Sequence, residues 1–240
     1  MRFMALIYTD EKTDISFGTP EWDQLMTEYR AFGEEARRRD AIIAGDPLQS
    51  TETATTLRLS EGKVVTLDGP FVETKEQLGG YYILECADQA EAAELAAMIP
   101  SAKAGCVEVR ALAGHDTRVI DPPKQTRYML MICGDQSNWL PDDDPRVVAG
   151  VEGHQRLTNW LIERGEFVAG DALARASTAT TVRVRDGQVL HSDGPYAETK
   201  EQLGGFYILN VRDLDYMLEL ARKFPLGPDS SYEIRPLQEV

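Results

Sequence analysis

Seventeen consecutive residues, Asp68 to Leu84, return at Asp193 to Leu209 with only three changes, Phe71/Tyr196, Val72/Ala197 and Tyr81/Phe206. The offset of 125 between Asp68 and Asp193 holds without a gap from Arg2/Arg127 through Gly45-Asp46/Gly170-Asp171 to Pro100/Pro225 and Glu108-Val-Arg110/Glu233-Ile-Arg235. Outside the repeated stretch mainly the hydrophobic pattern survives. The chain must therefore build one unit twice. At 240 residues this gives two domains of about 110 residues, each large enough for its own core. The expected boundaries are 1–113 for the first copy, 114–126 for a linker containing Pro122-Pro123, and 127–240 for the second copy.

Within each copy the elements read in the same order. Residues 2–8 are apolar on both alternating faces, which suits a central strand covered on two sides. From Pro20, Trp22, Leu25, Met26, Tyr29, Phe32 and Ala36 form a helical stripe behind a Thr19-Pro20 start signal. Its counterpart is expected from Pro145 to about Arg164, carrying His154 where the first copy has Tyr29. Ala41–Ala44 reads as a strand ended by Gly45-Asp46-Pro47. A hairpin is expected around Ser60-Glu61-Gly62, and again at Arg185-Asp186-Gly187. The repeated stretch then leads into a strand from Gly80 to Cys86, followed by a second helix capped by Asp88 and stopped before Pro100. Val107–Ala111 alternates strictly, as an edge or one-sided strand should. The resulting β-α-β-hairpin-β-α-β order, with its two-sided apolar strands in the middle, fits an α+β, ferredoxin-like sheet. Helices cover one face of such a sheet, so the other faces are expected to pack sheet against sheet within the chain.

Charge narrows the function classes. A net charge of −15 and a pI near 4.6 repel phosphate backbones, and no Lys/Arg cluster offsets them, so nucleic-acid binding is not expected. The first residues lack the length and cleavage site of a signal peptide. No run reaches the roughly 20 apolar residues of a membrane span. Cys86, Cys106 and Cys133 have neither paired nor metal-type spacing, which suits reduced, buried thiols. A cytoplasmic protein without membrane, metal or cofactor is the expectation.

The Asp68-Gly-Pro-Phe start followed by Glu73-Thr-Lys-Glu-Gln-Leu-Gly-Gly80, repeated from Asp193 to Gly205 with Tyr196 for the Phe, resembles the signature of the YCII-related family, in particular its DGPF subgroup. The resemblance covers both halves. It implies a dimeric α+β-barrel fold, formed here within one chain, and an enzyme of unassigned substrate; some family members are encoded near extracytoplasmic-function sigma factors. Single-domain YCII proteins carry a His on the first helix followed by a Gly-containing turn. His154, Gly165 and Gly170-Asp171 look like that pattern, and the resemblance makes His154 with Asp171 a candidate catalytic pair.

The motif itself supplies further candidates. Asp68 and Asp193 suit a turn, since Asp, Gly and Pro each favour one; they also suit a base or ligand anchor facing an inter-sheet cleft. Glu73, Lys75 and Glu76, with Glu198, Lys200 and Glu201, suit a solvated loop held by weak ion pairs. A loop kept almost unchanged in both copies also suits ligand binding. Two functions remain open. One is a small-molecule enzyme performing lyase- or isomerase-type proton transfer in the inter-sheet cleft. The other is a ligand-sensing or protein-binding module, with a sigma factor as partner. The chain would act as a monomeric pseudo-dimer or as a homodimer.

Overall fold

Each helix begins where a side-chain oxygen can occupy a free backbone N–H. In the computed structural model, which describes residues 1–13, 15–61, 63–71, 74–114, 125–141, 143–197, 199–227 and 230–238, α1 (Pro20–Arg38) is capped by Thr19 and α2 (Gln89–Met98) by Asp88. Likewise, α3 (Pro145–Glu163) is capped by Asp144 and α4 (Leu214–Ala221) by Asp213. These caps satisfy donors that the first helical turn leaves without an intrahelical partner. Among the described residues, no helix is long and apolar enough to cross a membrane.

The strands of the first half are β1 (Arg2–Thr9), β2 (Ile42–Pro47), β3 (Thr55–Ser60), β4 (Lys63–Asp68), β5 (Gln77–Glu85) and β6 (Cys106–Ala111). The second half repeats them as β7 (Thr126–Gly134), β8 (Phe167–Ala172), β9 (Thr180–Arg185), β10 (Gln188–Asp193), β11 (Gln202–Val211) and β12 (Ser230–Pro236). Both hairpins fall where expected. Asp186 and Gly187 take φ of 52° and 74°, the left-handed pair that a two-residue hairpin turn requires, and Glu61 takes φ 50°.

The strands do not, however, sort by copy. One antiparallel sheet runs β10-β9-β6-β1-β5-β2 and the other β4-β3-β12-β7-β11-β8. Each half has given its hairpin to the other: β3 pairs with β12, and β9 pairs with β6. The pairs β1–β5 and β7–β11, both interior to their sheets, are the two-sided apolar strands of the sequence. Two cores lie under the helices, one beneath α1 and α2 and one beneath α3 and α4. The third joins Met4, Leu6, Tyr81 and Ile83 to Met129, Met131, Phe206 and Ile208 from the facing sheet. The two sheets therefore pack face to face, and the chain is an α+β protein of two ferredoxin-like units. At the seams Gln49 N–H donates to Pro236 O (3.0 Å) and Ala174 N–H to Ala111 O (2.8 Å), carrying the pairing from one sheet toward the other.

Two local expectations are corrected. The strictly alternating 107–111 stretch is no edge: β6 lies between β1 and β9, and its polar residues Glu108 and Arg110 are 2% and 0% exposed. They mimic a solvent face because they point into the inter-sheet interior. Residues Gly45-Asp46-Pro47 do not end the second strand but continue it, paired with Tyr82, Tyr81 and Gly80. Gly45 is required there because the Tyr82 ring lies against it; a Cβ would come within 2.2 Å of that ring.

Candidate functional site

The repeated motif is the segment that returns the chain from an exchanged hairpin to its own sheet. Gly69 and Gly194 turn it, at φ 94° and 93°, a conformation glycine adopts without a Cβ clash. The turn is held by Thr56 Oγ1 donating to Gly69 O and Thr181 Oγ1 donating to Gly194 O, both 2.8 Å. The glycine pair at its end has a packing cause as well. A Cβ on Gly80 would come within 3.1 Å of Asp46 O, and one on Gly204 within 2.8 Å of the Trp139 ring. Gly79 is the extra residue at a register shift between β1 and β5.

Between these turns and the strands, both motif copies meet around a polar cleft. The backbone N–H of Phe71 donates to Glu233 Oε2 (3.0 Å), and that of Tyr196 donates to Glu108 Oε2 (3.1 Å). Each acid thus holds the motif of the other half. Glu233 Oε1 lies 3.6 Å from Arg235, and Glu108 Oε1 lies 3.6 Å from Arg110. The arginines also donate to backbone carbonyls, Arg235 to Gln49 and Arg110 to Ala174 and Leu203. Burial pushes the carboxyls of Glu233 and Glu108 above the usual range, with their arginines pulling the other way. Tyr8 stacks on Tyr196 with centroids 3.8 Å apart, and burial raises the Tyr196 phenol to about 12.

The two sides of this cleft differ. The Tyr196 hydroxyl lies 2.8 Å from both Thr74 Oγ1 and the Glu76 carbonyl. Phe71, its counterpart, has no such group. A cavity of about 60 Å³ lies between the two motif copies, lined by Tyr196 and Thr74 as well as Phe71, and its acid and arginine are Glu233 and Arg235 rather than Glu108 and Arg110. It has room for about four water-sized groups.

The sequence candidates divide among several places. Glu76 and Glu201 lie at the cleft but are engaged: Arg183 of β9 binds Glu76 at 2.9 Å and Arg58 of β3 binds Glu201 at 2.9 Å. Each bridge locks an exchanged hairpin to the other copy's motif. Arg183, foremost, holds the Glu76 carboxyl below its ordinary range. Lys75 is exposed, and Lys200 stands 3.9 Å from Asp135. Glu73 and Glu198 lie outside the described residues. Asp68 and Asp193 are exposed at the ends of β4 and β10, and Asp193 faces α2 rather than the inter-sheet cleft.

His154 and Asp171 are not brought together. His154 Nδ1 lies 3.2 Å from the Tyr207 hydroxyl, and Tyr207 belongs to the core under α3 and α4. Asp171 is in register with Phe206, whose ring belongs to the inter-sheet core. Directly paired residues share a face and successive residues alternate, so the second sheet separates the two side chains. Asp171 accepts from Ala172 N–H (2.8 Å) and Gly114 N–H (3.1 Å). Burial lowers the His154 pKa from its ordinary value.

The residues that sequence reasoning passed over are Tyr8, Arg58, Arg183, Glu233 and Arg235. The signal was available: Arg58/Arg183 and Glu108-Val-Arg110/Glu233-Ile-Arg235 repeat charged residues at the same 125 offset. Among the described residues no three His, Cys, Asp or Glu side chains gather as a metal ion would need.

Two ferredoxin-like units, fused in one chain and exchanging hairpins around a shared polar cleft, define a pseudo-dimeric α+β barrel. The chain belongs to the YCII-related family: the model of the YCII-related domain matches residues 1–114 and again residues 126–240. It is similar to the uncharacterised protein R00369 of Rhizobium meliloti (strain 1021), 36% identical over 115 residues, which is 46% of this chain and 90% of that protein.

Proposed function

We propose that the cleft between the sheets binds a small polar molecule and that Glu233 moves a proton on it, in a lyase- or isomerase-type step. One observation carries this reading. The cavity beside Phe71 sets a space of about 60 Å³ against a carboxyl whose burial has raised its pKa, and a general acid or base works best when its pKa approaches the operating pH. Arg235, beside it, offers a cation for charge that develops on an oxygen. The size of the cavity limits the reacting part of the ligand to a few heavy atoms.

A thermal-shift screen of small polar metabolites tests this. A ligand present at 100 times its Kd should add about 2.7 kcal/mol of stability. The Glu233→Gln protein should lose turnover of that ligand by about 10²–10⁴-fold. A hit that is turned over equally well by Glu233→Gln would remove the proposed role. A hit bound but not turned over by either protein would make the cleft a sensor site instead.

A further inference from the structure

A second cavity lies outside the inter-sheet cleft, where the β9–β10 hairpin passes over α2. Its walls include Ala93, Glu94 and Ala97 of α2 and Val189, His191 and Asp193 of β10. Strand pairing fixes which side chains face it. His191 is in register with Val182 and Asp193 with Thr180, and Val182 is part of the core under α2. Alternate residues of a strand share a face, so Val189, His191 and Asp193 all turn toward the helix. The second copy of the motif therefore presents its leading acid to this groove.

The internal repeat provides the comparison. Ala93 and Ala97 correspond to Leu218 and Arg222, and His191 corresponds to Thr66. On the second sheet, Arg222 Nη2 donates to Thr66 Oγ1 at 3.1 Å, a guanidinium reaching from helix to hairpin. On the first sheet two alanines leave that space open, and the solvent-open groove has a volume of about 1100 Å³, slightly above the roughly 300–1,000 Å³ of small-molecule sites. Where the second sheet's side carries the Arg222 guanidinium, the described lining residues of this groove include no Lys or Arg. Arg39 holds Glu94 at 2.9 Å on the helix side, and Asp193 stands on the opposite wall.

We propose that this groove binds a small organic cation. Its ammonium group enters the space that Ala97 leaves where the second sheet has Arg222, and pairs with Asp193, which lies on the same strand face two residues beyond His191, the counterpart of Thr66. Its apolar body lies on Ala93, Ala97 and Val189. An anion would meet the Asp193 carboxylate, and a neutral ligand would leave it unused. The inference does not depend on the role proposed for Glu233, which lies between the sheets.

Calorimetric titration of the full chain with n-hexylammonium chloride tests it, with 1-hexanol as the neutral probe of the same length. Hexylammonium should bind saturably and hexanol at least tenfold more weakly. Asp193→Asn should weaken hexylammonium at least tenfold, and Ala97→Arg should abolish its binding. Asp193 is exposed, so Asp193→Asn carries the test alone if Ala97→Arg loses the fold. Absence of saturable binding, equal binding of hexanol, or unchanged affinity in Asp193→Asn would each overturn the proposal.

Discussion

Arg110 and Arg235 head the fully buried side chains by volume, at 0% and 1% exposure. Burying a charge is tolerable only where a partner and hydrogen bonds replace the lost water, and each arginine has an acid two residues earlier and a carbonyl acceptor from the neighbouring turn. Removing one member leaves the other charged and dry. Arg110→Ala should therefore cost about 3–5 kcal/mol, read as a lower midpoint in urea at unchanged slope. Replacing Glu108 and Arg110 together by apolar residues of similar volume should recover much of that loss. A double variant as unstable as the single one would show that the carbonyl contacts, and not the uncompensated charge, dominate.

At the scale of elements, much of the fold was legible in the sequence: the caps at Thr19 and Asp88, the hairpin turns at Glu61 and Asp186, and the two-sided central strands. Each is a local rule, written in neighbouring residues. The exchange of hairpins was not legible. Alternation in 55–60 tells which face is buried, but strand β12 at Ser230–Pro236 and strand β6 at Cys106–Ala111 repeat one pattern, so nothing local says which of them β3 joins. The same limit left Glu108 and Arg110 on a strand read as an edge or one-sided, and hid the arginine partners of Glu76 and Glu201, which lie on the other copy's hairpin. The bridge from Glu76 to Arg183 has a consequence in pH. Its folded-state pKa is lowered from 4.5, so the unfolded chain binds that proton more readily. The stability it adds is present above pH 4.5 and is lost as the pH falls through the folded value. Both groups are partly exposed, which limits the pair to about 1 kcal/mol. Glu76→Gln should lower stability by about that amount at pH 7, in urea unfolding, and the gap to the native protein should close below pH 4.5. A gap that does not change with pH would mean that the bridge contributes nothing.

For the molecule as a whole, hairpin exchange makes the two copies one cooperative body. Each sheet needs strands from both halves, and the inter-sheet core needs both sheets. Cleavage at a protease site introduced between Gly114 and Gln125 should leave the two fragments together, eluting at the size of the intact chain. Separation into two smaller species without denaturant would contradict the strand pairing described.

Fusion has a further effect at the cleft, where Phe71 and Tyr196 occupy equivalent positions of the two copies and both line the cavity. In a dimer of identical chains any substitution at that position is inherited by both walls at once, and neither can drift alone. Joined head to tail, the two walls become separate loci. One can keep the tyrosine whose hydroxyl ties the motif to its neighbour, while the other gives up that hydroxyl, so that the shared cavity meets an acid and an arginine from one copy only. The chain thus retains a symmetric frame and has acquired handedness where a ligand would feel it.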